Sequence, residues 1–238
     1  MQKIIKNLEK CFCIIPARSG SKGLVGKNLK KLGGRELFQW SVDAANFLNI
    51  EYAVSTDDKK IIELCKKRGI LYIKRPSDLC QDHSTDYDFL NHAITHLDLV
   101  SKNKSIILNL RPTSPLRLKS DLLELSKILK KTNYSIRSVV ESDFPVQKMW
   151  YVDGSYLECV DPSVKGLEGY NMPRQLLKKS YKQTGAFDAY MIKDVLSKSI
   201  NGEKILSFIQ KSPIADIDSM KDFSAAENIL ENSLKDFV

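Results

Sequence analysis

The sequence predicts an α/β protein built on a mostly parallel sheet that is covered on both faces by helices. Three observations carry this: strand-like apolar runs alternate with runs of helical period through the first two-thirds of the chain; a loop rich in glycine and cations directly follows the first strand; and 238 residues suffice to bury a full core as one large domain.

Cys11 to Ile15 is a short apolar run that reads as a buried strand. Glu36 to Leu48 is helical because Leu37, Trp40, Ala44 and Leu48 share a face. Tyr52 to Ser55 reads as a strand, Asp58 to Arg68 as a helix and Ile70 to Lys74 as a second short strand. Phe89, Ala93, Leu97 and Val100 place Thr85 to Val100 on a helix, and Ser105 to Leu110 is a fully buried strand. Lys119 to Lys131 makes the next helix, and Ser135 to Val140 the strand after it. From about Asp143 to Lys182 the alternation is lost and Tyr, Trp, Pro and Gly become frequent, which predicts a small arm leaving the sheet. A hairpin is expected within Met149 to Val160, with Asp153-Gly154 as its turn, since that dipeptide accepts positive φ. The alternation resumes over Gly185 to Ile192 and Ile205 to Gln210. It closes with a helix over Ser224 to Leu234, introduced by Ser219 with Asp222 three residues on.

The loop after the first strand carries the strongest chemical signal. Gly20, Gly23 and Gly26 let backbone approach a ligand and turn N–H groups inward, while Arg18, Lys22 and Lys27 supply charge for polyphosphate oxygens. It is not the common P-loop: Gly26-Lys27 is the only Gly-Lys pair, Ser21 stands five residues before Gly26, and Asn28 follows Lys27 where Ser or Thr is required. The Gly-x-Gly-x-x-Gly dinucleotide fingerprint is also missing.

Asp216 and Asp218 form a second signal near the end of the chain. In extended backbone, side chains two apart share a face, so both carboxylates could reach one hard cation; the same pair could also face solvent and favour a nearby helix through its dipole. His92 and His96 lie four apart on a helix but lack the Glu at position 93 and the third ligand that a zinc site needs. The net charge of +8 is scattered through helical runs such as Lys59, Lys60, Lys66 and Lys67, so a solvated face is expected and no nucleic acid partner. Trp150, Tyr151 and Tyr156 fit a packed arm better than base stacking. Five cysteines without a Cys-x-x-Cys pair are expected as reduced structural thiols. No membrane span or apolar leader is seen, so a cytoplasmic protein is expected.

Pro16-Ala17-Arg18, Gly20-Ser21-Lys22-Gly23 and Lys27-Asn28 fall in register with Pro-Ala-Arg-x-Gly-Ser-Lys-Gly-x-x-x-Lys-Asn, the opening of the CMP-sialic acid synthetase (acylneuraminate cytidylyltransferase) family, which this chain resembles. The resemblance continues in order through Val54-Ser55-Thr56-Asp57-Asp58, Lys74-Arg75-Pro76-Ser77-Asp78-Leu79, Arg111-Pro112-Thr113-Ser114-Pro115-Leu116-Arg117, Pro173-Arg174-Gln175 and Ile214-Ala215-Asp216-Ile217-Asp218, covering essentially the whole chain. It implies a Rossmann-like nucleotidyltransferase fold over 1–238 with an arm at about 143–182 that crosses to a partner subunit in a homodimer.

The implied reaction joins CTP to a 2-keto-3-deoxy sugar acid and releases pyrophosphate, with Mg²⁺ (or Mn²⁺) on Asp216 and Asp218. Arg18 and Lys27 would act on the phosphates as catalytic residues. Ala17, Ser21, Lys22, Asn28, Arg75 and Ser84 would complete the nucleotide site, and Arg111, Lys148, Arg174 and Gln175 would serve the sugar acid. Two departures stand out: Arg111 replaces the usual Gln, and Thr184-Gly185-Ala186-Phe187-Asp188-Ala189-Tyr190 stands where many relatives have Asn-Gly-Ala-Ile-Tyr, with Thr for Asn, which points to a sugar other than N-acetylneuraminate. The competing readings are a nucleotidyltransferase for another sugar such as Kdo, whose enzymes lack the Ser-Lys-Gly and Lys-Asn combination, and a basic nucleic-acid-binding protein.

Overall fold

The computed structural model describes residues 8–20, 23–161 and 169–238, and divides the chain into two compact units, Met1–Ser138 with Thr184–Val238, and Val139–Gln183. The first unit begins with β1 (Cys11–Pro16), β2 (Lys31–Leu32), β3 (Arg35–Glu36), α1 (Leu37–Phe47), β4 (Glu51–Thr56), α2 (Lys59–Arg68) and β5 (Tyr72–Lys74). It continues with α3 (Asp86–His96), β6 (Ile106–Asn109), α4 (Lys119–Leu129) and β7 (Ser135–Glu141), whose last residues enter the second unit. The second unit holds β8 (Trp150–Asp153), β9 (Tyr156–Cys159) and β10 (Tyr181–Gln183). The chain then returns to the first as β11 (Asp188–Met191), α5 (Ile192–Leu196), β12 (Ile205–Ile209) and α6 (Met220–Ser233).

In the first unit the strands lie in the order β7-β11-β6-β1-β4-β5. β6, β1, β4 and β5 are mutually parallel, and β11 runs antiparallel to both β6 and β7. Successive side chains of a strand point to opposite faces, so β1 feeds two cores. Cys13 and Ile15 pack with Phe38 and Val42 of α1, Ile61 of α2 and Leu122 of α4, whereas Phe12 and Ile14 pack with Phe89, Leu90 and Ala93 of α3 and Ile192 of α5.

A third cluster of Leu32, Trp40, Ile217, Phe223 and Leu230 joins the β2–β3 ribbon and α1 to α6. Ile217 is fully buried and its N–H donates to the Thr113 carbonyl at 2.8 Å, so the alternation of extended chain turns Asp216 and Asp218 to the opposite side. Replacing Ile217 by Ala should cost about 2–5 kcal/mol of stability in chemical denaturation.

Several boundaries differ from the sequence expectation for local reasons. α3 ends at His96 rather than Val100, because Leu97 caps it and Asp98 takes φ 50°; Leu99 then becomes the buried residue and Val100 is 55% exposed. α2 closes at Gly69 with φ 68°, and the Ile70 N–H donates back to Cys65, which delays β5 to Tyr72. α6 begins at Met220 instead of Ser224. Ser219 donates to the Asp222 carboxylate through its amide (2.8 Å) and hydroxyl (2.7 Å), so the capping pair starts the helix immediately.

Within the second unit, β8 and β9 pair antiparallel around Gly154 at φ 58°, the turn expected of Asp153-Gly154. Residues 139–141 pair antiparallel with β10, and Trp150 meets Tyr170 edge-on at 4.8 Å.

Candidate active site

The carboxyl ends of β1, β5 and β6 open onto a cavity of about 390 Å³ in the first unit, the edge at which parallel α/β sheets bind ligands. Its lining includes Arg18, Lys27, Asn28, Arg75, Ser84 and Asp218.

Hydrogen bonds to β4 fix the loop that leaves β1. The Ala17 N–H donates to Ser55 O (2.9 Å), and the Thr56 hydroxyl donates to Ala17 O (2.6 Å). Ser19 donates to Asp57 through its amide (2.8 Å) and its hydroxyl (2.6 Å). Burial alone would raise the Asp57 pKa, but these bonds outweigh it and hold the carboxyl below its usual range. The Asn28 amide donates to Arg18 O at 2.9 Å and ties the loop's return to its start. A β-carbon at Gly23 would stand 2.4 Å from the Asp218 carbonyl oxygen, so the loop meets the acidic segment only because residue 23 has no side chain. Gly23→Ala should separate them; we expect weakened nucleotide binding in calorimetric titration with at most a small drop in melting temperature.

Lys27, only 8% exposed, donates through Nζ to Asp218 Oδ1 at 2.7 Å. The cation expected on phosphates and the carboxylate expected on metal therefore form one unit. Arg18 donates to Cys80 O (2.8 Å) and to Asp82 (3.2 Å). Arg75 is buried, donates to the hydroxyl and carbonyl of Ser55 (3.0 Å each), and lies over the Phe89 ring at 4.8 Å. Burial lowers its pKa. Ser84 accepts the Gln81 N–H at 3.0 Å at the cavity's rim.

Asp216 accepts a hydrogen bond from Thr113, yet burial and the neighbouring Asp218 carboxylate raise its pKa above the usual value. A carboxyl whose ionisation burial and an adjacent carboxylate oppose fits an additional cation at this place. Their oxygens suit a hard divalent ion, whose remaining ligands would be water and phosphate. Among the described residues no group of three His, Cys, Asp or Glu side chains could hold a metal by itself.

The remaining expected residues divide into groups. Ser21 and Lys22 lie outside the described residues. Ala17 is fully buried with both backbone groups committed to β4, so it supports the loop and does not line the cavity. Lys148, Arg174 and Gln175 belong to the second unit: Lys148 donates to Tyr170 O (2.7 Å), and Arg174 and Gln175 line that unit's own cavity of about 310 Å³ with Glu141, Lys178 and Lys179. Arg111 does line the main cavity, but its guanidinium is engaged by Asp86 and by Asp188 (2.5 Å). Burial works against its charge, and the two carboxylates more than offset that, so its pKa is raised and it enters the cavity wall already ion-paired. Sequence reasoning missed Asp82, Asp86, Phe89 and Thr113 in the lining. Asp86 sits in the first turn of α3, where an acid is explained by the helix dipole alone, and nothing in its spacing points across to Arg111.

A sheet of this topology with a cationic cavity at its carboxyl edge defines an α/β nucleotide-binding protein. The cytidylyltransferase family model matches residues 12–185. The chain is 30% identical over 236 residues to CMP-N,N'-diacetyllegionaminic acid synthase of Legionella pneumophila, covering 93% of this chain and 97% of that protein. It is 27% identical over 229 residues to pseudaminic acid cytidylyltransferase of Campylobacter jejuni, covering 92% and 95%. It is 40% identical over 112 residues to N-acylneuraminate cytidylyltransferase of Streptococcus agalactiae. That match covers 45% of this chain and 26% of the relative, so the chain spans about a quarter of it. In fold it is similar to a CMP:2-keto-3-deoxy-manno-octonic acid synthetase complexed with CTP, with a TM-score of 0.66, 18% identity, and coverage of 94% of this chain and 99% of that one. The chain belongs to the cytidylyltransferases, within the CMP-sialic acid synthetase (acylneuraminate cytidylyltransferase) family.

Proposed function

We propose that the protein joins CTP to a nonulosonic, sialic-acid-like sugar acid, giving the CMP-sugar and pyrophosphate. The observation that carries this reading is the gathering of Arg18, Lys27, Asn28, Arg75 and Ser84 with Asp218 in one cavity. The full-length relatives act, by their names, on legionaminic and pseudaminic acids, which supports a sugar acid of that class.

In the reaction the anomeric hydroxyl oxygen of the sugar acid bonds to the α-phosphorus of CTP, the hydroxyl proton is released, and the bond to the β-phosphate bridging oxygen breaks. Charge grows on the departing pyrophosphate, so catalysis rests on positioning and electrostatics. Lys27 and Arg18 neutralise the phosphates. Asn28, by holding the loop closed on Arg18, keeps both cations on one side of the triphosphate. Arg75 and Phe89 form a flat, desolvated wall suited to the base. Asp216 and Asp218 would hold a magnesium or manganese ion, which when bound supplies Lewis-acid stabilisation of phosphate charge and acidifies a hydroxyl.

The test is pyrophosphate release over a panel of N-acetylneuraminate, legionaminate, pseudaminate, Kdn and Kdo. Release should require CTP and a divalent cation and stop with a chelator. Release with none of the sugar acids, or the same rate from ATP, contradicts the proposal. Arg18→Ala should weaken CTP binding about ten- to hundredfold, the equivalent of a charged hydrogen bond of about 1.5–3 kcal/mol; unchanged affinity in calorimetry contradicts its role.

The proposal includes a homodimer and a cytoplasmic setting. The first is supported by apolar side chains exposed on the second unit, among them Tyr151 (62%), Val152 (75%) and Tyr156 (81%). The second is supported by five buried cysteines without a disulfide. Among the described residues no helix is long and apolar enough to cross a membrane. Light scattering should give twice the chain mass, and Tyr156→Glu should shift it toward one.

A further inference from the structure

A buried charge cluster stands behind the Arg111 wall of the cavity, entirely within the first unit. The Asp188 side chain on β11 has 0% exposure, and its carboxylate accepts Arg111 Nη1 at 2.5 Å and Arg137 Nη1 at 3.1 Å. Arg111 reaches Asp86 through Nη2 and the Gly185 carbonyl through Nη1 at 3.3 Å. The Tyr190 hydroxyl closes the ring, donating to Asp86 (2.9 Å) and accepting from Arg137 (3.0 Å). Two guanidiniums thus face two carboxylates. Gly185 takes φ 69°, and a β-carbon there would meet Arg111 Nη1 at 2.7 Å, so the backbone itself leaves room for the guanidinium.

Desolvating four charges makes such a cluster a poor source of stability, whereas it fixes orientation well. Only Arg111 and Asp86 of the four charged groups line the cavity; Asp188 and Arg137 stand behind them. We propose that Asp188 is a positioning residue that anchors Arg111 from behind, so that one orientation of the guanidinium meets the sugar acid at the cavity wall. The assignment rests on reading the cavity as the site for CTP and a sugar acid. Without the rear anchor, Arg111 retains only Asp86 as an anion, with the Gly185 carbonyl at 3.3 Å, and regains rotamer freedom that the paired carboxylates remove.

The experiment compares steady-state kinetics and melting temperature of the wild type, Asp188→Asn and the charge-balanced pair Arg137→Gln with Asp188→Asn, which keeps Arg111 and restores a neutral sum. Asp188→Asn should raise KM for the sugar acid on the order of tenfold, with KM for CTP within about twofold and a lowered melting temperature. The double variant should regain melting temperature while its sugar-acid KM stays raised, and it carries the test by itself if the single variant does not fold. Recovery of KM together with stability, an unchanged sugar-acid KM, or equal rises for both substrates reduces Asp188 to a structural charge partner and overturns the proposal. A wild type that releases no pyrophosphate with any sugar acid overturns the underlying reading as well, so the two failures are told apart by the wild-type assay.

Discussion

Asp218→Asn is expected to lower turnover on the order of a hundredfold or more, while the protein stays folded and still binds CTP. The residue lines the cavity, its side chain is 72% exposed, and it is the carboxylate that Lys27 grips at 2.7 Å. Two stability effects oppose each other in the variant. Asp216 is relieved of a neighbouring charge, and Lys27 exchanges a carboxylate for an amide oxygen. Asp218 is largely exposed while Lys27 is buried, so solvent screens part of the loss and the relief of Asp216 offsets part of it, and the variant stays folded.

The pH dependence has a definite sign. The Asp216 pKa is raised by burial and by Asp218, so the folded protein holds that proton to higher pH than the unfolded chain does. Asp216 therefore costs stability once the pH rises above its unfolded value, and the cost is complete above its folded pKa. A reaction that needs Asp216 ionised loses rate as the pH falls through that folded value. Asp218→Asn should move this acid limb of the residual activity to lower pH. Near-normal activity in the variant, or a limb moving upward, contradicts the assignment of the acid pair.

The second large effect concerns stability. Arg117 is fully buried, and its guanidinium donates to Ala186 O (2.9 Å), Ser41 Oγ (3.3 Å) and Arg111 O (2.8 Å), all neutral acceptors. Burial pushes its pKa well below the usual arginine value, a sign of how costly this charge is to bury. Those three bonds close the turn between β6 and α4 on itself and tie it to α1 and to the residues leading into β11, and Thr113 within that turn receives the Ile217 N–H. Arg117→Ala leaves a cavity and strips a charged donor from three acceptors, of which the Arg111 carbonyl keeps only the Ser114 N–H, and should cost about 3–5 kcal/mol. For a chain of this length that lowers the melting temperature by roughly 6–20 °C in a thermal scan. Arg117→Met fills the volume without the hydrogen bonds. If it melts with the wild type, the bonds contribute nothing net and the account of this turn is wrong.

What was legible in the sequence follows from what is local. The loop after β1 could be read because its glycines and cations are contiguous, and the β8–β9 hairpin because Asp-Gly sets its turn. The acid pair was legible because an alternation of period two around Ile217 is a local property of extended chain. The pairings that organise the cavity are not local. Lys27 and Asp218 lie 191 residues apart, and Arg111 and Asp188 lie 77 apart, so each looked like an independent charge. Arg111 in particular read as an unpaired charge because its two anions sit on other elements. The end of α3 was misjudged because the apolar period runs on through Leu97 and Val100 after the turn at Asp98 has stopped the helix.

The most direct measurement is a crystal structure of the protein soaked with CTP and magnesium. The account predicts the triphosphate within hydrogen-bond reach of Arg18 and Lys27, the base end beside Arg75, and density for a cation touching Asp216 or Asp218. Phosphates bound away from both the loop after β1 and the acid pair would contradict it.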